Sequence, residues 1–175
     1  MYFGNIKYKD IANGEGVRTS LFVSGCRNHC KECFNPETWN FNYGKPFTEK
    51  VENEIIDSLK PNYISGLTIL GGDPFEPENQ EALINFIVKI KKIYPNKTIW
   101  MYSGYTFNDI YNQNGKVHTK YSETILKNID ILVDGKFVKE LFNIKLKFRG
   151  SSNQRIINVP KTLSNNKIIL SPLNN

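Results

Sequence analysis

Three cysteines lie close together in one short stretch of the chain and are suited to binding a metal. Cys26, Cys30 and Cys33 are the only cysteines in the sequence, and they form the pattern C-x3-C-x2-C directly after the apolar run 21–23. Such a run is typical of a buried strand that leads into a loop. Thiolates at this spacing can converge on one soft-metal centre, and they favour iron–sulfur clusters, zinc or copper(I). A cubane cluster held by three cysteines would leave one iron without a protein thiolate, and an open metal position of this kind can bind a substrate.

A zinc site is the nearest alternative, with His29 as the fourth ligand. His29 adjoins Cys30 in the sequence, so a tetrahedral site shared by both side chains would strain the backbone. Structural zinc sites also tend to separate their ligands into pairs. Three buried free thiols without any metal are a further alternative, which the packing of all three cysteines into one loop disfavours.

A glycine-rich turn follows a second apolar run. Gly71, Gly72 and Asp73 come directly after the run 67–70 and precede a proline. Two adjacent glycines let a backbone approach a ligand closely and expose its N–H and C=O groups. A tight turn between a strand and a helix would explain the same residues.

Two further polar residues stand at the ends of strand-like segments. Ser103 follows the segment 98–102, and its hydroxyl group is suited either to binding a ligand or to capping the next helix. Asp134 follows the apolar run 131–133. A dense polar cluster comes later in the chain, and it is either a solvated turn with an arginine salt bridge or part of a binding site: Arg149, Ser151, Asn153, Gln154 and Arg155.

The elements that must position these residues alternate between strands and helices. Strands are predicted at 19–24, 67–70, 98–102, 131–133, 155–159 and 167–170, and helices at 49–59, 78–94, 104–112 and 122–128. Alternation through residue 134 predicts an α/β fold with parallel strands, and the cysteine and glycine loops then lie at the carboxyl ends of those strands. Four or five such units are too few for a complete eight-stranded barrel, which takes about 250 residues.

Composition predicts one ordinary globular domain over 1–175. The sequence has 39% hydrophobic and 23% charged residues. Its first ten residues lack the apolar stretch of a signal peptide, and no apolar run is long enough to span a bilayer, so we expect a cytoplasmic protein with no membrane partner. The net charge of +6 indicates either a generic surface or a docking face for acidic partners. Nucleic-acid binding is not expected, because the lysines are scattered rather than gathered in one basic block.

Six segments together resemble the radical S-adenosylmethionine (SAM) superfamily, and within it the activating enzymes of anaerobic ribonucleoside-triphosphate reductases. They are NGEGVRTSLFVSGC at 13–26, CFNPETW at 33–39, GGDPF at 71–75, WMYSGY at 100–105, DILVDGKF at 130–137 and FRGSSNQRII at 148–157. The cysteine pattern alone is moderately specific. Its combination, in this order, with the glycine loop and RGSSNQR makes the resemblance strong.

The resemblance implies a truncated, open (β/α) barrel with a [4Fe–4S] cluster on Cys26, Cys30 and Cys33 and with SAM on the open iron. It makes His29 a variable loop residue. It implies that Gly71, Gly72 and Asp73 receive the amino group of SAM and that Ser103 binds its carboxylate. Asp134 is assigned to the ribose or to a partner-facing pocket. The adenine edge is assigned to the backbone of Glu32, Cys33 and Phe34. Two positions depart from the superfamily: Asp73 stands where glutamate is more common, and Glu32 where many members have an aromatic residue. Phe34 is equally compatible with the core.

The activity implied by the resemblance is the generation of a glycyl radical on the reductase. An electron from a flavodoxin-like donor would cleave SAM reductively to a 5′-deoxyadenosyl radical, which would abstract hydrogen from a glycine of the partner. Within the superfamily, the alternatives are an activase of another glycyl-radical enzyme and an enzyme acting on a small molecule. From another class, the alternative is a non-enzymatic zinc or iron–sulfur module with affinity for nucleic acid.

Overall fold

A seven-stranded sheet forms the centre of the protein in a computed structural model that describes residues 1–174. The strands are β1 (Tyr2–Asp10), β2 (Val17–Val23), β3 (Lys45–Pro46), β4 (Ile64–Gly71), β5 (Thr98–Ser103), β6 (Ile131–Asp134) and β7 (Arg155–Asn158), in the spatial order β3-β1-β2-β4-β5-β6-β7. The helices are α1 (Glu49–Ser58), α2 (Pro77–Ile93), α3 (Phe107–Tyr111), α4 (Ser122–Lys127) and α5 (Val159–Asn165). The fold is therefore α/β, as the alternation of predicted elements indicates.

The sheet is mixed and is not closed into a barrel. The four central strands β2, β4, β5 and β6 pair in parallel, whereas β1 pairs with β2 and β3, and β7 with β6, in the antiparallel sense. The prediction of parallel strands is thus correct for the centre and wrong for both edges. The reason lies in the connections: a parallel pair needs a long crossover, usually a helix, and neither the link 11–16 nor the segment 135–154 contains an α-helix.

The two faces of the central strands have different neighbours. Leu21, Leu67, Ile69, Ile99 and Met101 point to the main core, where they pack with the buried face of α2. Alternate side chains point to the opposite face, because successive residues of a strand do so. That face carries Phe22, Leu70, Trp100 and Tyr102, and three of these four line the cavity described below.

The last part of the chain departs most from the sequence prediction. The segment 159–165 forms a helix whose start is capped by Asn158, although the sequence pattern favours strands on both sides. The predicted strand at 167–170 makes only a single bridge, between Leu170 and Ile157. Among residues 1–174, no helix combines the length and the apolar character that crossing a bilayer requires.

Candidate metal centre and cofactor cavity

The cysteine loop leaves the sheet at the carboxyl end of β2. Gly25 has a φ of +99°, and a side chain there would collide with the ring of Phe41. Backbone hydrogen bonds from Gly25 to Thr38 O (2.7 Å) and from Cys26 to Trp39 O (3.2 Å) hold the loop against the following segment. The backbone conformation at the end of β2 is therefore determined by Gly25, one residue before the first cysteine.

All three cysteines are free thiols that line one cavity of about 690 Å³. Cys26 is buried, whereas Cys30 and Cys33 are half-buried. The amide N–H of Asn35 lies 3.4 Å from Cys33 Sγ, in position to donate a hydrogen bond to that sulfur. His29 and Glu32 adopt left-handed backbone conformations, with φ of 43° and 55°. Such conformations are uncommon for residues other than glycine and recur at functional loops.

The surroundings of His29 bear on the zinc alternative. Within residues 1–174, no three His, Cys, Asp or Glu side chains lie close enough together to hold one metal ion. The His29 ring stacks on Trp39 with a centroid separation of 4.5 Å, which gives it a packing role and weakens the zinc alternative.

Burial disfavours negative charge on the thiols of Cys26 and Cys30. Burial, reinforced by the charge of Asp73, raises the pKa of Cys26 to about 12. Burial also raises the pKa of Cys30. Because metal ligation requires thiolates, loading a metal here would release protons, and the positive charge of the metal would stabilise the thiolates.

The glycine loop packs directly on the cysteine loop. A side chain at Gly72 would come within 2.6 Å of the carbonyl oxygen of Gly25, and one at Gly71 within 2.7 Å of that of Val23. The amides of Gly72 and Asp73 donate hydrogen bonds to Val23 O and Gly25 O, at 2.7 and 2.8 Å. The absence of side chains at these two glycines therefore allows the glycine loop to pack against the cysteine loop. The sequence analysis instead expects the same glycines to let the backbone approach a ligand.

Asp73 is completely buried, and its carboxylate joins three loops. It accepts hydrogen bonds from the amides of Phe75 (3.0 Å) and Gly104 (2.8 Å), from the Ser103 hydroxyl, and from the Asn28 side chain (3.1 Å). Burial raises its pKa to about 7. The carboxylate predicted to receive a ligand thus already has protein donors on both oxygens, and it fixes the cysteine loop to the ends of β4 and β5.

A second carboxylate, which the sequence analysis missed, holds the cysteine loop from the other side. Glu76 is fully buried and accepts hydrogen bonds from the Arg27 amide (2.7 Å) and the Tyr105 hydroxyl (2.9 Å), in addition to an ion pair with the Arg27 guanidinium. The side chain of Asn79 donates to Ser24 O and Asp73 O, at 3.0 and 2.8 Å. The sequence offers only one indication of this role, which is an acidic residue between the glycine loop and α2. An acidic residue in that position is also typical of an ordinary helix start.

The predicted cofactor residues divide into two groups. Those that line the cavity are Cys33, Phe34, Gly71, Gly72, Asp73 and Ser103; Glu32 and Asp134 are not among its lining residues. Glu32 is exposed and pairs with Lys139. The carboxylate of Asp134 is buried and accepts hydrogen bonds from Arg155 and from the amide of Phe107. Phe34 is 70% exposed, so the alternative that it belongs to the core is wrong.

The polar cluster 149–155 connects the cavity wall to neighbouring segments. Arg149 donates to Gln154 O (2.6 Å) and to the backbone and side-chain oxygens of Asn174. Gln154 accepts from the amides of Gly150 and Ser151 and donates to Gly135 O. Arg149 and Gln154 line the cavity, whereas Asn153 is exposed and Arg155 forms a salt bridge with Asp134. The cluster therefore combines part of the cavity wall with the arginine salt bridge of the alternative interpretation.

Three polar groups in the cavity wall are buried without a hydrogen-bond partner. Within residues 1–174 they are Trp39 Nε1, Tyr102 OH and Arg149 Nε, and all three residues line the cavity. Buried polar groups are normally satisfied. A polar ligand in this cavity would meet donors that the fold has left available, so the residues present fit a polar cofactor beside the cysteines.

Comparison with known proteins gives a consistent result. Residues 12–157 match the family model described as "4Fe-4S single cluster domain". A protein from Haemophilus influenzae named anaerobic ribonucleoside-triphosphate reductase-activating protein is 42% identical over 149 residues, which cover 84% of this chain and 91% of the relative. Proteins of the same name from phage T4 and Escherichia coli K12 are 41% and 40% identical; the alignments cover 89% and 83% of this chain, and 93% and 90% of those relatives. This chain therefore belongs to the family of anaerobic ribonucleoside-triphosphate reductase-activating proteins, and it carries that family's iron–sulfur cluster domain.

Proposed function

We propose that this protein generates a glycyl radical on anaerobic ribonucleoside-triphosphate reductase, using a [4Fe–4S] cluster and SAM. The relatives' names support the partner and the activating role. The observation that carries the chemistry is the cavity, in which three free thiols face a glycine loop and unpaired polar groups. Three ligands for a four-iron cluster leave one iron for the substrate.

The residues of the chain hold and enclose the reactants. Cys26, Cys30 and Cys33 would hold the cluster, whose contribution when bound is the one-electron reductive cleavage of SAM. Asp73 and Glu76 fix the cysteine loop to the sheet through the hydrogen bonds given above. No side chain needs to act as nucleophile or general base, because the cofactors carry the bond-breaking chemistry.

The cavity wall supports an assignment of the SAM-binding residues. We assign the methionine end of SAM to the backbone of Gly71, Gly72 and Asp73 together with Ser103, and the adenine to the backbone around Cys33 and Phe34, because these residues line the same cavity as the cysteines. Asp134 would act indirectly, since its carboxylate is occupied by Arg155. Glu32 would contribute only its backbone, because its side chain pairs with Lys139.

The fold would be the truncated (β/α) barrel of the radical SAM type. Its support is the row of four parallel strands whose carboxyl ends carry the cysteine loop, the glycine loop and Ser103, which is where α/β folds build their active sites. A flavodoxin-like protein in the cytoplasm would supply the electron. The net charge of +6 suits an acidic donor of that kind.

Anaerobic reconstitution tests the proposal. The protein should bind about four iron and four sulfide per chain, show an electron-spin signal on reduction that SAM perturbs, and release 5′-deoxyadenosine. Cys30→Ala should abolish SAM cleavage, whereas the neighbouring change His29→Ala should preserve the cluster. A colourless protein that holds one zinc, and loses it on His29→Ala, would refute the proposal in favour of the zinc alternative.

The partner is tested separately by adding the reductase. A glycyl radical should form on it only with SAM, reductant and this protein together. If SAM is cleaved but the reductase gains no radical, the cofactor assignment stands and the proposed partner is wrong. Another glycyl-radical enzyme or a small substrate would then be the target.

A further inference from the structure

An exposed apolar patch lies at the mouth of the cavity. We define the mouth patch as Phe34, Leu141, Phe142 and Ile144, whose exposed fractions are 70%, 43%, 48% and 86%. The rings of Phe34 and Phe142 lie 6.4 Å apart, and Phe137 contacts both, at 5.4 and 6.3 Å between ring centroids. Contiguous apolar surface of this kind on a soluble domain marks an interaction site.

The segment that carries most of the mouth patch is also rich in positive charge. The segment 136–147 contains exposed lysines at positions 136, 139, 145 and 147 and a single acidic residue, Glu140. Lys139 pairs with Glu32 of the cysteine loop, whereas within residues 1–174 Lys136, Lys145 and Lys147 have no ion-pair partner. Their charge is therefore available to a ligand outside the chain.

Hydrogen bonds to the polar cluster hold the mouth patch in place. The amide of Ser152 donates to Leu141 O (3.0 Å), that of Asn143 donates to Gly150 O (3.2 Å), and Phe142 forms a β-bridge with Ser151. The amide of Val138 donates to the Ser151 hydroxyl. A patch that is already ordered loses less conformational entropy on binding, so it is suited to specific recognition.

We propose that the mouth patch and its lysines are the docking surface for the reductase, and that they receive a segment with apolar residues at its centre and acidic residues around them. This inference rests on the proposed function, because the partner's glycine must reach the cavity that the mouth patch borders. A second copy of this chain is a poor occupant, since a symmetric contact would bring the lysines of both copies together. The apolar centre would supply affinity, and the lysines would guide orientation and raise the association rate.

A charge introduced into the mouth patch provides the test. Ile144→Asp should weaken binding to the purified reductase about tenfold or more, and it should raise the reductase concentration needed for half-maximal glycyl-radical formation by a similar factor. The matched control is Ile93→Asp, because Ile93 is also an exposed isoleucine, at the far end of α2, and we expect it to leave binding unchanged. The double variant Lys145→Glu/Lys147→Glu should weaken binding and reduce its dependence on salt.

Cleavage of SAM with a chemical reductant and no reductase separates this inference from the proposed function. It should be the same in wild type, Lys145→Glu/Lys147→Glu and Ile93→Asp, because none of these three residues lines the cavity. If wild type cleaves no SAM, the proposed function fails. If wild type activates the reductase and Ile144→Asp binds it with unchanged affinity, the docking surface is wrong. Self-association of the wild type that Ile144→Asp abolishes would instead identify a second copy as the occupant, and it would overturn the proposal.

Discussion

The hydroxyl group of Ser103 lies 2.9 and 3.0 Å from the two carboxylate oxygens of Asp73. This contact joins the end of β5 to the loop after β4, and Asn28 extends it to the cysteine loop. One buried carboxylate thereby sets the relative positions of three loops that border the cavity. The geometry of this part of the cavity wall therefore depends on one buried group.

Replacing Asp73 with asparagine should weaken the contacts that hold the three loops together. The amide group of Asn would place a donor opposite the N–H of Gly104 or Phe75, which now donate to the carboxylate. We expect the free energy of unfolding to fall by about 1–3 kcal/mol, as for other buried hydrogen-bonding groups that lose a partner. Urea unfolding measures the change, and the exposed Asp57→Asn, which affects only a surface pair with Lys60, is the control. Equal stability of the two variants would contradict the role of Asp73 in holding the three loops together.

The same carboxylate predicts a dependence of stability on pH. The pKa of Asp73 in the folded protein is about 7 because of burial, whereas an unfolded chain has an aspartate pKa of about 3.9. Between these values the native state holds a proton that the unfolded state has lost, so the contribution of Asp73 to the free energy of unfolding falls as pH rises from about 4 to about 7. The difference in stability between wild type and Asp73→Asn should fall through this window and then become constant. A difference that rises with pH would show that the hydrogen bonds outweigh burial.

Glu76 and Glu78 form a matched pair for testing whether Glu76 holds the cysteine loop in place. Both carboxylates pair with Arg27, but the Glu76 side chain is fully buried and that of Glu78 is half exposed. Glu76→Gln should lower the free energy of unfolding by about 1–3 kcal/mol and accelerate loss of the reconstituted cluster, because the Arg27 amide and guanidinium lose a charged acceptor. Glu78→Gln should have little effect on either, since exposed ion pairs contribute little. Similar rates of cluster loss in both variants would rule out the anchoring role.

Arg18 is a buried cation that bonds neutral oxygens. Its guanidinium donates to the Thr68 hydroxyl (2.7 Å), Leu67 O (2.7 Å) and both oxygens of Thr98 (2.9 Å each), and it lies over the ring of Trp100. Lysine cannot reproduce this planar set of donors. Arg18→Lys should therefore destabilise the fold by about 3 kcal/mol or more, because several buried acceptors lose their partners.

Thermal unfolding measures the effect of the Arg18 changes. Arg18→Met, which keeps an unbranched side chain and removes every donor, should be at least as destabilising as Arg18→Lys. If Arg18→Lys retains wild-type stability, the hydrogen bonds of the guanidinium do not hold the amino ends of β4 and β5 together.

Elements with strong periodicity could be predicted from the sequence. The apolar spacing of 78–94 predicts α2 (Pro77–Ile93) nearly to its ends, although Ile93 itself lies outside the buried face. The direction of β7 could not be predicted, because periodicity does not show whether a strand pairs in parallel. The helix at 159–165 was missed because the apolar residues around Asn158 favour a strand, although Asn158 at the N-cap and Pro160 in the first turn are local signals of a helix start.

The candidate site, like the fold, could be predicted only in part from the sequence. The three cysteines and the glycine loop are recognisable by residue type and spacing, and the structure brings them to one cavity. The roles of Asp73 and Glu76 could not be predicted, since a carboxylate that holds loops together and one that binds a ligand look alike in sequence. Their partners, Asn28 and Arg27, are distant in sequence and become neighbours only through the order of the strands.

The open sheet has a mechanical consequence. Within the described residues, no ladder joins the outermost strands β3 and β7, so the gap between them is not fixed by backbone hydrogen bonds. Coiling the sheet more tightly or more loosely changes this gap through small torsional adjustments shared among many residues, and no interstrand bond has to break. If a loop of the proposed partner enters the cavity, the sheet can therefore adjust to it at a low enthalpic cost, which a closed barrel would not permit.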